Sequence, residues 1–518
     1  MTGNNEKETT KTENIFEVRV QKLKKIIDAG LNPYDNTFTP SHTVEQIKSI
    51  FGEGKRELPE EGDAKPLDEN TYAVAGRVLT LRRFGKAAFF HLMDATGSIQ
   101  IYIKKDILSE NHWNIFKEID TGDIIGVRGK IFYTKTGELT IMAETLHFIT
   151  KSLRPLPEKW HGLIDPEIRY RQRYLDLLSN QEVKKIFMAR SFIIKCIRNY
   201  LDREGFVEVE TPILHPLRGG ATARPFVTHH NTLDMNLYLR IAPELYLKRL
   251  LVGGFGKVYE IGKCFRNEGI STRHNPEFTM LEFYEAFADY KKMLERAEEL
   301  VKEVERNFNE KFPEFRQKRN YDIQKPWKKM KMLESIIDYG RSLGITREIL
   351  ENPQLCNEWY EKNISPEQKK KGITHGEIIF TMFETIVEPN LGVEPVAIID
   401  FPAEISPLAR RSNLDPRWAE RFEVYLDGRE IINAFSELND PAIQAENFLA
   451  QVKAREGGDE EAMDYDQDYV TALEHGMPPA GGFGLGIDRL VMSLCNLTSI
   501  REAILFPTLR PQSTRSDK

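Results

Sequence analysis

The run Val258-Tyr259-Glu260-Ile261-Gly262-Lys263-Cys264-Phe265-Arg266-Asn267-Glu268 continues through Gly269-Ile270-Ser271-Thr272-Arg273-His274-Asn275-Pro276 into Glu277-Phe278-Thr279-Met280-Leu281-Glu282-Phe283-Tyr284. It reads as strand, polar loop, strand. A period of two puts Phe278, Met280, Glu282 and Tyr284 on one face of the second strand. A buried carboxylate requires a cationic partner. That face is therefore either solvated or built to bind something positive.

Upstream, an amphipathic helical pattern over 184–204 leads into Gly205-Phe206-Val207-Glu208-Val209-Glu210-Thr211-Pro212, a turn and a strand ending in proline. Downstream lies Pro478-Pro479-Ala480-Gly481-Gly482-Phe483-Gly484-Leu485-Gly486-Ile487-Asp488-Arg489. Glycines in a strand let a flat ligand approach the backbone, and the helix that follows begins near an arginine suited to phosphate. Between these segments, Arg421–Leu426 and Arg429–Glu437 flank Asp427-Gly428, a favoured two-residue hairpin turn. That register sets Tyr425 opposite Glu430 and makes Glu423 its diagonal neighbour. Two such carboxylates repel unless a divalent cation with oxygen ligands lies between them.

The rest of the chain sets the context. With 518 residues, 40% hydrophobic and 29% charged, it has the length for two or more folded domains. No apolar run approaches the ~18 residues of a membrane span, and the polar start MTGNNEKETTKTEN has no segment resembling a secretory signal. Cys196, Cys264, Cys356 and Cys495 have no CxxC spacing, which suits reduced thiols in the cytosol. A net charge of −7 excludes a uniform polycation but leaves room for a local basic face.

Residues 15–30 have helical spacing, with Val18, Leu23, Ile26 and Ile27 as an apolar stripe, Lys22, Lys24 and Lys25 nearby, and Gly30 as a stop. Either a solvated helix or one touching a nucleic-acid backbone fits. Residues 55–70 read as a polar linker. The period then changes to two, and about five short β-rich runs over some 80 residues fit a small Greek-key barrel of the OB type. From 181 onward, long helical patterns alternate with short strands, an α+β arrangement.

Taken together, the segments at 205–212, 258–284 and 478–492 resemble motifs 1, 2 and 3 of the class II aminoacyl-tRNA synthetases, and the resemblance covers roughly 70–510. Within that class the chain looks like the lysyl enzymes of bacterial type. The implied fold is α+β: an N-terminal OB-fold barrel plus a catalytic antiparallel sheet flanked by helices. The implied boundaries are 1–65 for a helical extension and linker, 66–150 for the barrel, 151–180 for a linker and 181–518 for the catalytic domain. A helical insertion is expected at about 290–390.

The resemblance implies ATP, L-lysine and tRNA(Lys) as substrates, up to three Mg²⁺ per active site, a cytoplasmic homodimer and no membrane partner. Arg266 and Arg489 are then the catalytic arginines, at the α- and γ-phosphates. Glu268, His274, Phe278 and Glu423 join them around ATP, and Glu423 and Glu430 hold the metal. Gly220, Glu244, Glu282, Tyr284, Asn433, Phe435 and Glu437 line the lysine pocket, whose several carboxylates would balance two ammonium groups. Arg82, Phe89, Gln100 and Glu138 fall at anticodon-binding positions, with Phe89 stacking a base unless it, rather than Phe90, is core. Ala434 departs from the glycine that the family often has there. The aspartyl and asparaginyl enzymes are the nearest alternatives, disfavoured by the surplus of carboxylates. A non-catalytic tRNA-binding paralogue is the other.

Overall fold

The computed structural model describes residues 2–52, 65–157, 163, 165–366, 369 and 372–511, with side chains from residue 14 onward. Residues 53–64 of the expected linker lie outside the described residues. The chain divides into two compact units, Met1–Leu163 and Ile164–Lys518.

The first unit is built on strands β1 (Tyr72–Phe84), β2 (Ala87–Met93), β3 (Ser98–Lys104), β4 (Ile124–Tyr133) and β5 (Leu139–Thr150). They close into a barrel in the order β1-β2-β3-β5-β4. Alternation does the sorting: Ala88, Phe90 and Leu92 of β2 and Ile99, Ile101 and Ile103 of β3 are buried, which turns Phe89, His91, Gln100 and Tyr102 to the other face. Helices α1 (Thr2–Asp28), α2 (Val44–Phe51) and α3 (Glu110–Lys117) belong to this unit.

The apolar stripe expected on α1 does not hold. Ile26 is buried in the barrel's core, but Val18 and Ile27 are exposed. The face that packs is led by Arg19, which donates to the carbonyls of Ser152 (3.0 Å), Arg154 (3.1 Å) and Thr121 (3.0 Å). Carbonyls left open by the barrel's loops select that face, since unpaired buried oxygens cost more than exposing a valine. Lys22 ion-pairs with Asp120 at 2.6 Å, while Lys24 and Lys25 stay exposed. Gly30 ends the region at φ +77°, a conformation favouring glycine.

The second unit opens with α4 (Pro166–Arg171) and α5 (Arg173–Ser179), where an irregular linker to residue 180 was expected. Both helices are tied to residues 501–510: Arg171 of α4 donates to the Arg510 carbonyl, and buried Arg173 of α5 donates to the carbonyls of Leu505 (3.0 Å) and Arg501 (2.7 Å) and to Asp176 (2.8 Å). Next come α6 (Gln181–Arg203), β6 (Val207–Glu208), the small sheet of β7 (Leu214–His215), β8 (Val227–His230) and β9 (Met235–Leu239), and α7 (Glu244–Val252). Strands β10 (Lys257–Phe265) and β11 (Glu277–Ala286), helix α8 (Tyr290–Lys311), and strands β12 (Lys328–Lys331), β13 (Val396–Pro402), β14 (Trp418–Leu426), β15 (Arg429–Ser436) and β16 (Ala480–Gly486) complete the frame.

The main sheet has eight strands in the order β12-β13-β14-β15-β16-β11-β10-β6, antiparallel except for the parallel pairs β12–β13 and β10–β6. Helix α8 falls within the range expected for an insertion, yet its Leu300, Val301, Val304 and Phe308 pack into the same core as Phe483 and Leu485 of β16. It is a core helix of the sheet. The helices with a core of their own span residues 332–391, where Ile336, Tyr360, Ile379 and Phe383 cluster against Phe401 and Tyr425. Among the described residues, no helix is long and apolar enough to cross a membrane.

Candidate active site

Three chain segments are pinned together beneath the sheet's functional face. Asp488, buried at the start of the helix Ile487–Cys495, accepts from Arg190 Nη1 of α6 at 2.5 Å and from the Thr279 backbone of β11 at 2.7 Å. Arg190 Nη2 also donates to Thr279 Oγ1 at 3.0 Å. Sequence reasoning passed over Arg190 and Thr279, because nothing local marks residues whose partners lie about 90 and 300 positions away.

Above this junction opens a cleft of about 820 Å³, lined by Arg266, Glu268, His274, Phe278, Glu430, Asn433, Gly484, Gly486 and Arg489 among others. The two expected arginines therefore share one cavity. Arg266 lies 5.1 Å from the Phe278 ring centroid, and its Nε is buried without a hydrogen-bond partner. Arg489 Nη1 donates to the Glu430 carbonyl (2.7 Å) and carboxylate (2.9 Å), and its Nη2 lies 3.3 Å from His274 Nε2. Desolvation in the cleft and the neighbouring Arg489 charge hold His274 below the usual imidazole range, so it stays neutral at pH 7.

Arg266, Glu430 and Asn433 also line a second, wider cavity of about 2240 Å³. Gly220, Glu244, Glu423 and Phe435 contribute from the sheet side; Tyr360, Ile364 and Phe380 contribute from the helical region. Gly220 adopts φ +86° beside Ala242, where an added Cβ would come within 3.2 Å of the Ala242 carbonyl.

Behind this cavity lies a buried acidic cluster. Glu244, Glu282 and Glu437 are each less than a tenth exposed, and Tyr284 donates to Glu282 at 3.0 Å. The glycines of β16 make the room: a Cβ at Gly482 would collide with the Glu437 carboxylate and approach the Tyr284 ring to 2.6 Å. Desolvation, then the charge of Glu244, pushes Glu282 up to about 8. Glu244 and Glu437 are raised for the same first reason.

The cluster carries a cation of its own. Lys248, four residues after Glu244 on α7, donates to Glu244 at 2.6 Å and is ion-paired with Glu437. Three carboxyl groups still face a single ammonium, and Glu437 Oε1 has no hydrogen-bond partner. An i, i+4 Glu–Lys pair in the sequence was the available signal for Lys248; it looks identical on a solvated helix.

The hairpin forms at Asp427 and Gly428, both with positive φ, and Tyr425 does pair with Glu430. A bulge at Ile431 then sets Glu423 opposite Asn433. Neither carboxylate is bare. Glu423 accepts from Arg421 Nη2 (2.6 Å) and Tyr425 (2.7 Å), and Glu430 is held by Arg489. Desolvation first and the Glu430 charge second still raise Glu423 to about 7. Paired hard oxygen donors that resist sharing charge fit a divalent cation such as Mg²⁺.

On the barrel, Phe89 sits 4.7 Å from the Tyr102 ring, with Phe84 at 6.4 Å, and Phe90 is the core residue of the pair. Arg82 is the cross-strand partner of Phe89. Glu138 accepts from Gln100 Nε2 at 2.9 Å and faces His91 Nε2 at 3.0 Å. Arg82, Phe89, Gln100 and Glu138 thus share one face with aromatic rings and polar edges. Tyr102 and His91 belong to it as well, and the period of two in Gln100-Ile101-Tyr102 could have revealed the former.

These features agree with comparison to known proteins. Residues 165–510 match the family of class II tRNA synthetases for D, K and N, and residues 72–149 match the OB-fold nucleic acid binding domain. The chain belongs to the class II aminoacyl-tRNA synthetases. It is 49% identical over 499 residues to a lysine–tRNA ligase of Carboxydothermus hydrogenoformans, covering 96% of this chain and 98% of the relative. It is 48% identical over 500 residues to the lysine–tRNA ligase of Syntrophomonas wolfei, covering 96% and 97%. The lysine–tRNA ligase of Magnetococcus marinus is 47% identical over 497 residues, covering 95% and 96%. Within its class, the chain is a member of the lysine–tRNA ligase family, and this favours the lysyl reading over the aspartyl, asparaginyl and non-catalytic ones.

Proposed function

We propose that the chain activates L-lysine with ATP and transfers it to tRNA(Lys). In the first step a lysine carboxylate oxygen attacks the α-phosphorus; the new O–P bond forms as the bond to the β-phosphate oxygen breaks, and pyrophosphate leaves. In the second, a 3′-terminal hydroxyl of the tRNA attacks the lysyl carbonyl, and AMP leaves. Positioning and charge stabilisation drive the first step, with no general base required.

Arg266 offsets the charge growing on the α-phosphate, and its orphaned Nε supports a role that awaits a ligand. Arg489 takes the γ-phosphate end. Phe278 stacks on adenine, with Glu268 and His274 beside the nucleotide. Glu244 and the Gly220 carbonyl hold the α-ammonium; Glu437 and Tyr284 hold the ε-ammonium; Glu282 adds charge between them, and Asn433 and Phe435 form the wall. Glu423 and Glu430 would hold Mg²⁺, up to three ions being expected, which neutralises triphosphate charge when bound. The outward barrel face of Arg82, Phe89, Gln100 and Glu138 binds the anticodon. The enzyme works in the cytosol as a homodimer, a reading supported by four free cysteines and by the exposed Met188, Val207, Ile213 and Leu214 around the first motif.

The observation that carries this reading is a buried cluster of three carboxyl groups with one lysine among them, beside a cleft holding two arginines. An amino acid with a neutral side chain would leave one of those carboxylates without a cation, at several kcal/mol. The test is ATP–pyrophosphate exchange run with each of the twenty amino acids. Lysine alone should support it, and Arg266→Ala should nearly abolish it. Exchange with aspartate or asparagine, or with none, overturns the proposal.

A further inference from the structure

Lys248 has no part in the reaction as outlined, yet it is the most enclosed charge in the site. Its side chain is fully buried. Its Nζ donates to Glu244 Oε1 at 2.6 Å, pairs with Glu437 Oε2, lies 3.5 Å from the Leu408 carbonyl and sits 5.3 Å from the Phe435 ring centroid. One oxygen of each carboxylate is thereby taken. The opposite oxygen of Glu437 remains buried without a partner, in space that only a glycine at position 482 leaves open.

Resting on the lysine-activating reading above, we infer that Lys248 is a positioning and charge-setting residue of the amino-acid pocket. It orients Glu244 and Glu437 and offsets one carboxylate, so that once lysine binds and Glu282 ionises, two negative charges remain, one for each ammonium group of the substrate. With two charges left, an amino acid whose side chain is neutral brings only its α-ammonium and leaves one buried carboxylate unmatched. The same ammonium opposes the effect of burial on Glu244 and Glu437 and favours their ionised forms. Without it, burial would protonate a further one, and lysine would have to displace that proton to bind.

The groups around Lys248 come from every packed element. Glu244 lies on its own helix, Glu437 just past β15, and Glu282 and Tyr284 on β11; Tyr469 comes from the helix Gln467–Glu474. Arg421 of β14 acts on Glu244, and Arg240 and Glu260 act on Glu282. Arg240 pairs with Glu260 and Arg421 with Glu423, so among the described residues it is Lys248 that ion-pairs with Glu437.

The test uses full-length Lys248→Met and Lys248→Gln enzymes, measuring KM and kcat for lysine and KM for ATP in pyrophosphate exchange from pH 6 to 8.5. The lysine KM should rise about 30-fold or more at pH 7, while the ATP KM stays within about twofold, because the nucleotide cleft lies outside this cluster. The raised KM should fall with pH by up to about tenfold per unit more steeply than in the unaltered enzyme, reflecting one extra proton displaced. A lysine KM and pH profile like those of the unaltered enzyme would overturn the inference. So would a loss confined to kcat, or failure of both variants to fold, since each assigns Lys248 a different or purely structural role. Absence of lysine-dependent exchange in the unaltered enzyme would instead remove the underlying reading.

Discussion

Arg489 grips Glu430 at two points: one guanidinium nitrogen donates 2.7 Å to the backbone carbonyl and 2.9 Å to the carboxylate of the same residue. The contact joins the first turn of the helix Ile487–Cys495 to strand β15, so the guanidinium is held in the cleft before any phosphate arrives. Pre-orientation of this kind reduces the reorganisation required at the transition state.

Replacing Arg489 with alanine should therefore lower kcat/KM for ATP by about 10²–10³-fold without altering the buried carboxyl groups of Glu244, Glu282 and Glu437. Steady-state pyrophosphate exchange at varied ATP checks it. A variant within threefold of the unaltered enzyme would separate this arginine from the triphosphate.

The acidic cluster makes lysine affinity pH-dependent. Glu282 sits at about 8 in the empty pocket, and an incoming ammonium lowers it. Below pH 8 binding thus displaces a proton, and Kd should fall by up to about tenfold per pH unit between pH 6 and 8. The sign for stability follows from the same shift: a carboxyl raised above its unfolded value loses its stabilising contribution as pH climbs through the folded value. Lysine should raise the thermal midpoint more at pH 8 than at pH 6. Calorimetry in two buffers of different ionisation heat measures the released proton directly; identical heats in both would refute the coupling.

Glu423, raised to about 7 by desolvation and by Glu430, should matter chiefly through the cation it would hold. Glu423→Gln should raise the Mg²⁺ concentration for half-maximal exchange by about 10–100-fold, as loss of a ligand or its support generally does. The shape of the Mg²⁺ titration decides, and an unmoved midpoint would exclude the residue from metal binding.

On the barrel, Phe89→Ala should raise KM for tRNA about tenfold or more, since stacking of one base contributes about 1–3 kcal/mol. Phe90 supplies the core position beside it, so the fold should survive. The exchange reaction, which uses no tRNA, should not change. Aminoacylation at unchanged KM would assign Phe89 to packing alone.

The barrel was legible because alternation of small runs such as Ala87–Met93 and Ser98–Lys104 admits only one inward face. The hairpin was legible at its turn, where Asp427 and Gly428 adopt the expected positive φ, but not at the bulge after Glu430, which no local residue announces. Helix α8 was misplaced because its charged outer surface suggests an insertion, and its inner stripe gains meaning only when β16 lies against it. On α1 an apolar stripe lost to Arg19, whose three carbonyl partners come from segments more than 100 residues away.

Periodicity, turn chemistry and motif order in the chain alone determined the two architectures and singled out glutamates and arginines that the fold gathers around neighbouring cavities, since those signals are local and short. Tertiary structure alone decided the state of charge in the pocket. Lys248 lies four residues from one carboxylate and far along the chain from the other, and only folding removes the water that would otherwise screen all three.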